Sequence, residues 1–137
     1  PLEDLIHLCH RALSATRGAA MTLVRIDFRT DTLRWAGIGN VTANLVAKHP
    51  AGVEVRSSAR LAGGIIGYRI PEVIASQEVS IRPGDLLVIA TDGIAEDHLN
   101  HIDFAAPAVT IAEQVVRSHG RDDDALVLAA RHRGASG

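Results

Sequence analysis

Asp92 stands in Thr91-Asp92-Gly93, directly after the apolar run Leu86 to Ala90. A run of that length and β-branched content reads as a strand buried on both faces. A carboxylate at the end of such a strand, followed by a glycine that lets backbone approach closely, suits a metal ion or a phosphate. Asp92 equally suits a second job, capping a helix that opens at Ile94 with Glu96 near its positive end. A second acid cluster, Asp122-Asp123-Asp124, follows Gly120 and Arg121 and leads into Ala125 to Ala130, another buried-strand pattern. Three acids at the mouth of a strand repel one another unless Arg121 or a cation neutralises them; otherwise they form a solvated loop. Hard divalent ions such as Mg2+ or Mn2+ take carboxylate oxygens and keep several waters, so acids from two strand ends make a sensible ligand pair.

Other ligand-type residues are less well placed. His7, Cys9 and His10 do not converge on a helix, and Cys9 lies on its apolar stripe. His98 and His101 are i, i+3 neighbours, but no acid motif supports them and they read as solvated surface before they read as ligands. Ser57, Ser58 and Cys9 lack a partner that would make any of them a nucleophile. Gly37-Ile38-Gly39-Asn40 lacks the third glycine of a dinucleotide loop, a Walker lysine and a following helix.

The elements that must position the acids follow from periodicity. Leu2 to Ala15 reads as an amphipathic helix with Leu2, Leu5, Ile6, Cys9 and Leu13 on its buried stripe. Ala20 to Phe28 alternates as a strand, with Val24, Ile26 and Phe28 on one side, and returns through a turn at Arg29 to Thr32 into Leu33 to Ile38, where Trp35 is a core anchor. Val41 to Ala47 and Val53 to Ser57 form a second hairpin around His49 to Gly52. Ser58 to Tyr68 reads as loop with a short strand or bulge at Ile65-Ile66. A β-type stretch is predicted from Val73, with Val79 and Ile81 on one face. Arg82-Pro83-Gly84-Asp85 is a tight turn in which Gly84 takes the unusual backbone angle and Asp85 bonds the turn's amides. A short helix or turn follows Asp92 through Asn100. Pro107 to His119 is a second amphipathic helix, with Val109, Ala112, Val115 and Val116 inward and Gly120 closing it. Hairpins with helices before and after them argue an α+β class.

Composition narrows the function. A length of 137 residues fits one domain with a real core, and a net charge of −2 gives no electrostatic footprint for nucleic acid. Trp35, Tyr68, Phe28 and Phe104 are too few to stack single-stranded bases. Cys9 is the single cysteine, which excludes an internal disulfide and agrees with a reducing cytoplasm. No apolar run approaches the ~20 residues that span a bilayer, so a membrane is not an expected partner.

In combination, Pro83-Gly84-Asp85-Leu86-Leu87-Val88-Ile89-Ala90-Thr91-Asp92-Gly93-Ile94 and Asp123-Asp124-Ala125-Leu126-Val127-Leu128 resemble the metal-dependent PPM-class serine/threonine phosphatases. The resemblance is to their SpoIIE-like branch, and within it to the RsbX type of the stressosome. It extends upstream through Arg17 to Thr22, Ala36 to Val41 and Gly63 to Gly67, covering nearly the whole chain. It implies a PPM-phosphatase-like β-sandwich of two antiparallel sheets flanked by helices. It further implies that Asp92 and Asp123 are the catalytic metal ligands, with Gly93 beside them, and that the complete site holds two Mn2+ or Mg2+ ions. The implied activity is hydrolysis of phosphoserine or phosphothreonine on a regulatory protein of a bacterial stress or partner-switching pathway, a stressosome or anti-anti-sigma-factor-like partner. A non-catalytic PPM-like binding module is the alternative. The family's first motif, an Asp-Gly whose carboxylate bridges the two ions, has no counterpart before Pro1-Leu2-Glu3-Asp4. The chain is therefore expected to be the C-terminal larger part of such a domain. Leu126 stands where relatives usually carry Thr or Ser, and Asn40 where many carry Asp or His.

Overall fold

The computed structural model describes residues 1–14, 20–67, 69–95, 97–100, 102–120 and 125–133. In chain order the elements are α1 (Leu2–Ala12), β1 (Met21–Asp27), β2 (Thr32–Ile38), β3 (Val41–His49), β4 (Gly52–Ser58), β5 (Gln77–Ser80), β6 (Leu86–Thr91), α2 (Ala108–His119) and β7 (Val127–Arg131). The strands form two antiparallel sheets, ordered β1-β2-β5 and β4-β3-β6-β7. The chain divides accordingly into two units, Pro1–Val41 with Ala59–Ile81 and Thr42–Ser58 with Arg82–Gly137. The expected α+β class, with two antiparallel sheets and accompanying helices, is what the chain adopts.

In the first unit, β1 and β2 pair from Met21 opposite Ile38 to Asp27 opposite Thr32. Asp27 Oδ1 closes the hairpin by accepting from the Arg29 amide at 2.9 Å, and that bond lowers the carboxyl's pKa. Helix α1 buries Leu2 and Ile6 with Ala36, Ile38, Ile66 and Ile74, and Cys9 and Leu13 pack against the same cluster. Leu5 is not on this stripe: it is 49% exposed, because Leu2, Ile6, Cys9 and Leu13 already define the face at i+4, i+3, i+4 steps. Glu3, in the first turn, is hydrogen-bonded by Ser76, which lowers its pKa, and Ser76 Oγ also accepts from Arg34 Nη1 at 3.0 Å. Trp35 is the expected anchor. It is fully buried, and its indole N–H donates at 3.1 Å to Gln77 Oε1, which also accepts from the Arg60 amide at 3.0 Å.

The strand predicted from Val73 is shorter than expected. Only Gln77–Ser80 pairs, opposite Trp35 to Thr32, and Val73 is 84% exposed. The reason lies in β2, whose edge beyond Trp35 is taken by another segment: Gly39 donates to Ala62 O and Ala62 to Gly37 O, each at 3.0 Å. The small β feature expected near Ile65 is present as a reciprocal pair of Ile65 and Arg69 backbone bonds, both 2.9 Å.

The second unit is built around β6. Leu86, Val88 and Ala90 are buried with Val46, Ile94, Ile111, Val115 and Val127. Strand β3 covers one edge of β6 and β7 the other. Helix α2 turns Ile111 and Val115 to this core, with Ala108 and Ala112 beside them. Val109 and Val116, expected inward, are 65% and 38% exposed; the i, i+3, i+4, i+7 stripe runs 108, 111, 112, 115, one residue out of phase with the expected one.

The turn before β6 matches its sequence signature. Gly84 has φ +93°, and Asp85 Oδ2 accepts from the Arg82 amide at 2.8 Å. The buried Asp85 carboxylate also pairs with Arg56 from β4. Its backbone is tied to the end of β7, with Gly84 N–H donating to His132 O at 2.7 Å and His132 N–H to Asp85 O at 2.9 Å.

Candidate functional site

Strand β6 delivers Asp92 to its C-terminal end, and the arrangement begins with the ladder to β7. That ladder runs in register from Leu86 opposite Arg131 to Ala90 opposite Val127. The next pair is Thr91 and Leu126, and it is still bonded: Thr91 N–H donates to Leu126 O at 3.1 Å. In return Leu126 N–H donates to the Thr91 hydroxyl at 2.9 Å. On the other edge, Thr42 Oγ1 donates to Ala90 O at 3.4 Å. Asp92 thus leaves a strand held on both sides.

No helix opens after it among the described residues. Among the described residues from Ile94 to Asn100 there are only turns and an isolated bridge, so the helix that Asp92 was equally suited to cap is absent. Instead Ile94 N–H donates to Thr91 O at 3.0 Å, closing a four-residue turn that carries Asp92 and Gly93. Asp92 is exposed and Gly93 buried.

The far side of this turn is also fixed. Ile94 forms an antiparallel bridge with Gly120. Gly120 ends α2 by donating to Val116 O at 2.9 Å, and a Cβ at that position would stand 2.5 Å from the same oxygen. Only a glycine permits so close an approach. The turn from Thr91 to Ile94 is therefore pinned at both ends to the two residues that flank the acid run, Leu126 after it and Gly120 before it. Asp122, Asp123 and Asp124 themselves lie outside the described residues, as do Arg17 to Ala19, Tyr68, Glu96 and His101.

Three other candidate ligands each have one polar atom in a local contact. His10 Nδ1 accepts from the Gly67 amide at 2.9 Å, which commits that ring nitrogen. His98 is not surface, as its sequence suggested: it is 4% exposed, and its Nδ1 lies 2.9 Å from Ala95 O. Asp103 Oδ1 accepts from the Ala105 amide at 3.0 Å and serves its own turn. Among the described residues no three His, Cys, Asp or Glu side chains gather to hold an ion. Asp92, an exposed carboxylate at a strand end, is of the type that hard divalent cations take.

Sequence reasoning named the acids but missed the residues that hold them together, Thr91, Ile94, Gly120 and Leu126. The available signals were a hydroxyl between the apolar run and Asp-Gly, and a glycine two residues before the acid run.

Residues 2–133 match the family model described as Stage II sporulation protein E (SpoIIE). No curated relative matches the chain. Among solved structures, the chain is similar to one from work on the bacterial stressosome, a modular system adapted to control secondary messenger signaling. That match has 28% identity, TM-score 0.77, and covers 94% of this chain and 66% of the other. RsbX in complex with magnesium matches at 22% identity and TM-score 0.71, covering 94% and 63%. The manganese-presoaked phosphatase domain of SpoIIE from Bacillus subtilis matches at 20% identity and TM-score 0.60, covering 98% and 66%. The chain thus spans slightly under two thirds of the length of these solved chains.

Proposed function

From the premise that this chain belongs to the SpoIIE family of PPM-type phosphatases, we propose that it hydrolyses phosphoserine or phosphothreonine on a regulatory protein, with Asp92 and Asp123 as metal ligands. The observation that carries the reading is the double pinning of the Thr91–Ile94 turn to Gly120 and Leu126. It brings the turn that carries Asp92 against Gly120 and Leu126, residues that precede and follow the acid run in sequence. Asp122 and Asp124 flank Asp123, and successive residues of an extended segment face opposite sides. We take Asp123 as the acid that shares an ion with Asp92, Asp122 and Asp124 being its neighbours in sequence.

Mn2+ or Mg2+ suits such a carboxylate pair, and when bound it would supply an acidified water and offset the charge on the phosphoryl oxygens. Residues of this chain do the rest. Asp92 is presented at the strand end by a closed turn that Gly93 completes. No side-chain nucleophile is needed. The proposal takes residues 1–137 as one domain, the C-terminal larger part of a SpoIIE-like phosphatase domain. It places the protein in the cytoplasm, acting on a phosphorylated partner of the stressosome or anti-anti-sigma-factor kind. The described residues contain no helix long and apolar enough to cross a membrane.

The test is release of phosphate from a phosphoserine protein as Mn2+ is titrated, for the wild type and Asp92→Asn. The variant should lose more than about 100-fold, beyond the ~10–100-fold typical of losing an outer-shell partner, with its circular dichroism unchanged. Retained turnover would remove Asp92 from the site. Tight binding of the phosphoprotein by the wild type with no phosphate released would favour the non-catalytic module.

A further inference from the structure

We propose that the Thr91 hydroxyl is a positioning element for Asp92, acting by taking over a ladder bond that the Thr91 carbonyl would otherwise make. In an antiparallel hydrogen-bonded pair the two residues exchange both N–H···O bonds. Continuing the register from Ala90 opposite Val127 makes Thr91 and Leu126 such a pair. One of the two bonds is regular, Thr91 N–H to Leu126 O at 3.1 Å. The other is substituted. Leu126 N–H goes to Thr91 Oγ1 at 2.9 Å, and the Thr91 carbonyl accepts from Ile94 N–H at 3.0 Å.

A carbonyl directed across the ladder does not also point back into a turn three residues on. By accepting from Leu126, the hydroxyl lets one residue hold β7 and close the Asp92 turn at once. Without it, two amides compete for one carbonyl. Either Leu126 loses its acceptor and the entry to β7 loosens, or Ile94 loses its acceptor and the turn carrying Asp92 opens. Leu126 is 68% exposed, so water can take its freed amide and the change is read there as faster hydrogen exchange. This positioning role rests on the reading that Asp92 and Asp123 share a divalent ion.

The experiment compares Thr91→Val, which keeps the branched shape without the hydroxyl, with Thr91→Ser, which keeps the hydroxyl, and with Asp92→Asn, all in the full-length protein. Mn2+ binding is measured by the loss of the free-ion paramagnetic resonance signal, and amide hydrogen exchange is followed at Ile94 and Leu126. Thr91→Val should weaken Mn2+ binding by about 10–100-fold, the range for a group that orients a ligand, and speed exchange at Ile94 or Leu126. Thr91→Ser should restore both to within about threefold. Mn2+ affinity and exchange equal to wild type in Thr91→Val would overturn the proposal. So would equal losses in Thr91→Val and Thr91→Ser, since the hydroxyl would then not be the operative group. If Asp92→Asn weakens Mn2+ binding while Thr91→Val does not, the metal reading stands and the positioning role alone fails. If Asp92→Asn also binds Mn2+ like the wild type, both fail.

Discussion

At the scale of single residues, the acid run offers three carboxylates, and position decides among them. Asp123 is the first of the Asp-Asp pair that precedes the β7 pattern, and in an extended run successive side chains face opposite sides. Activity against Mn2+ concentration for the three Ala variants should therefore show a large loss at Asp123 and changes of only a few-fold at its neighbours. Equal losses at all three, or a loss confined to Asp122, would contradict the assignment. Asp92 at the end of a buried strand was legible in the sequence, because an apolar run that stops at Thr-Asp-Gly has few other readings. Its choice between cap and ligand was not. Capping depended on a helix after Ile94, and the bridge from Ile94 to Gly120 pre-empts that helix through a residue distant in sequence. The hydroxyl of Thr91 was equally hidden, since a threonine in a strand is ordinarily there for its branched shape.

At the scale of elements, what the sequence concealed were the partners that strands and helices compete for. Gln77–Ser80 reads as part of a longer strand until Ala62 is seen on the edge of β2. In α2, Ala and Val fill several faces, so the expected stripe held Ala112 and Val115 correctly but took in Val109 and Val116 and left out Ile111. The strands with continuous apolar runs were the clearest, and β6 is the element on which the second unit depends. Leu86 is fully buried, so Leu86→Ala should cost about 2–5 kcal/mol, read as a lower urea midpoint, whereas the exposed Val109→Ala should cost far less. Comparable losses would mean that α2 buries a different face. The first turn of α1 gives a pH test. Glu3 has its pKa lowered from 4.5 by Ser76, so the folded state holds its proton less readily than the unfolded chain. The resulting stabilisation is present above the unfolded pKa and disappears as pH falls through the folded one. Thermal melts of Ser76→Ala and wild type should differ slightly near neutral pH and converge as the medium becomes more acid than Glu3 in the folded state. A difference that grows on acidification would have the wrong sign for this contact.

For the molecule as a whole, the question is how many ions residues 1–137 can hold by themselves. A two-metal site keeps its ions roughly 3.5–4 Å apart, a spacing that the family resemblance assigns to a bridging Asp-Gly carboxylate. Glu3 and Asp4 belong to α1, His10 Nδ1 accepts from Gly67 and Asp103 Oδ1 serves its own turn. Asp92 and Asp123, the pair proposed as ligands, would by themselves hold one ion loosely, because hard divalent ions need several oxygens and take the remainder from water. Residues 1–137 alone are thus expected to bind one Mn2+ per chain with weak affinity and to release phosphate from a phosphoserine protein slowly even in excess Mn2+. The measurement is stoichiometry by calorimetry together with the rate at saturating metal. Two ions bound per chain with rapid turnover would mean that every ligand lies within these residues. His98 would then have to turn out of its buried position, or His101 or Asp103 join the set, and the bridging role would pass to a group that sequence and structure assign elsewhere.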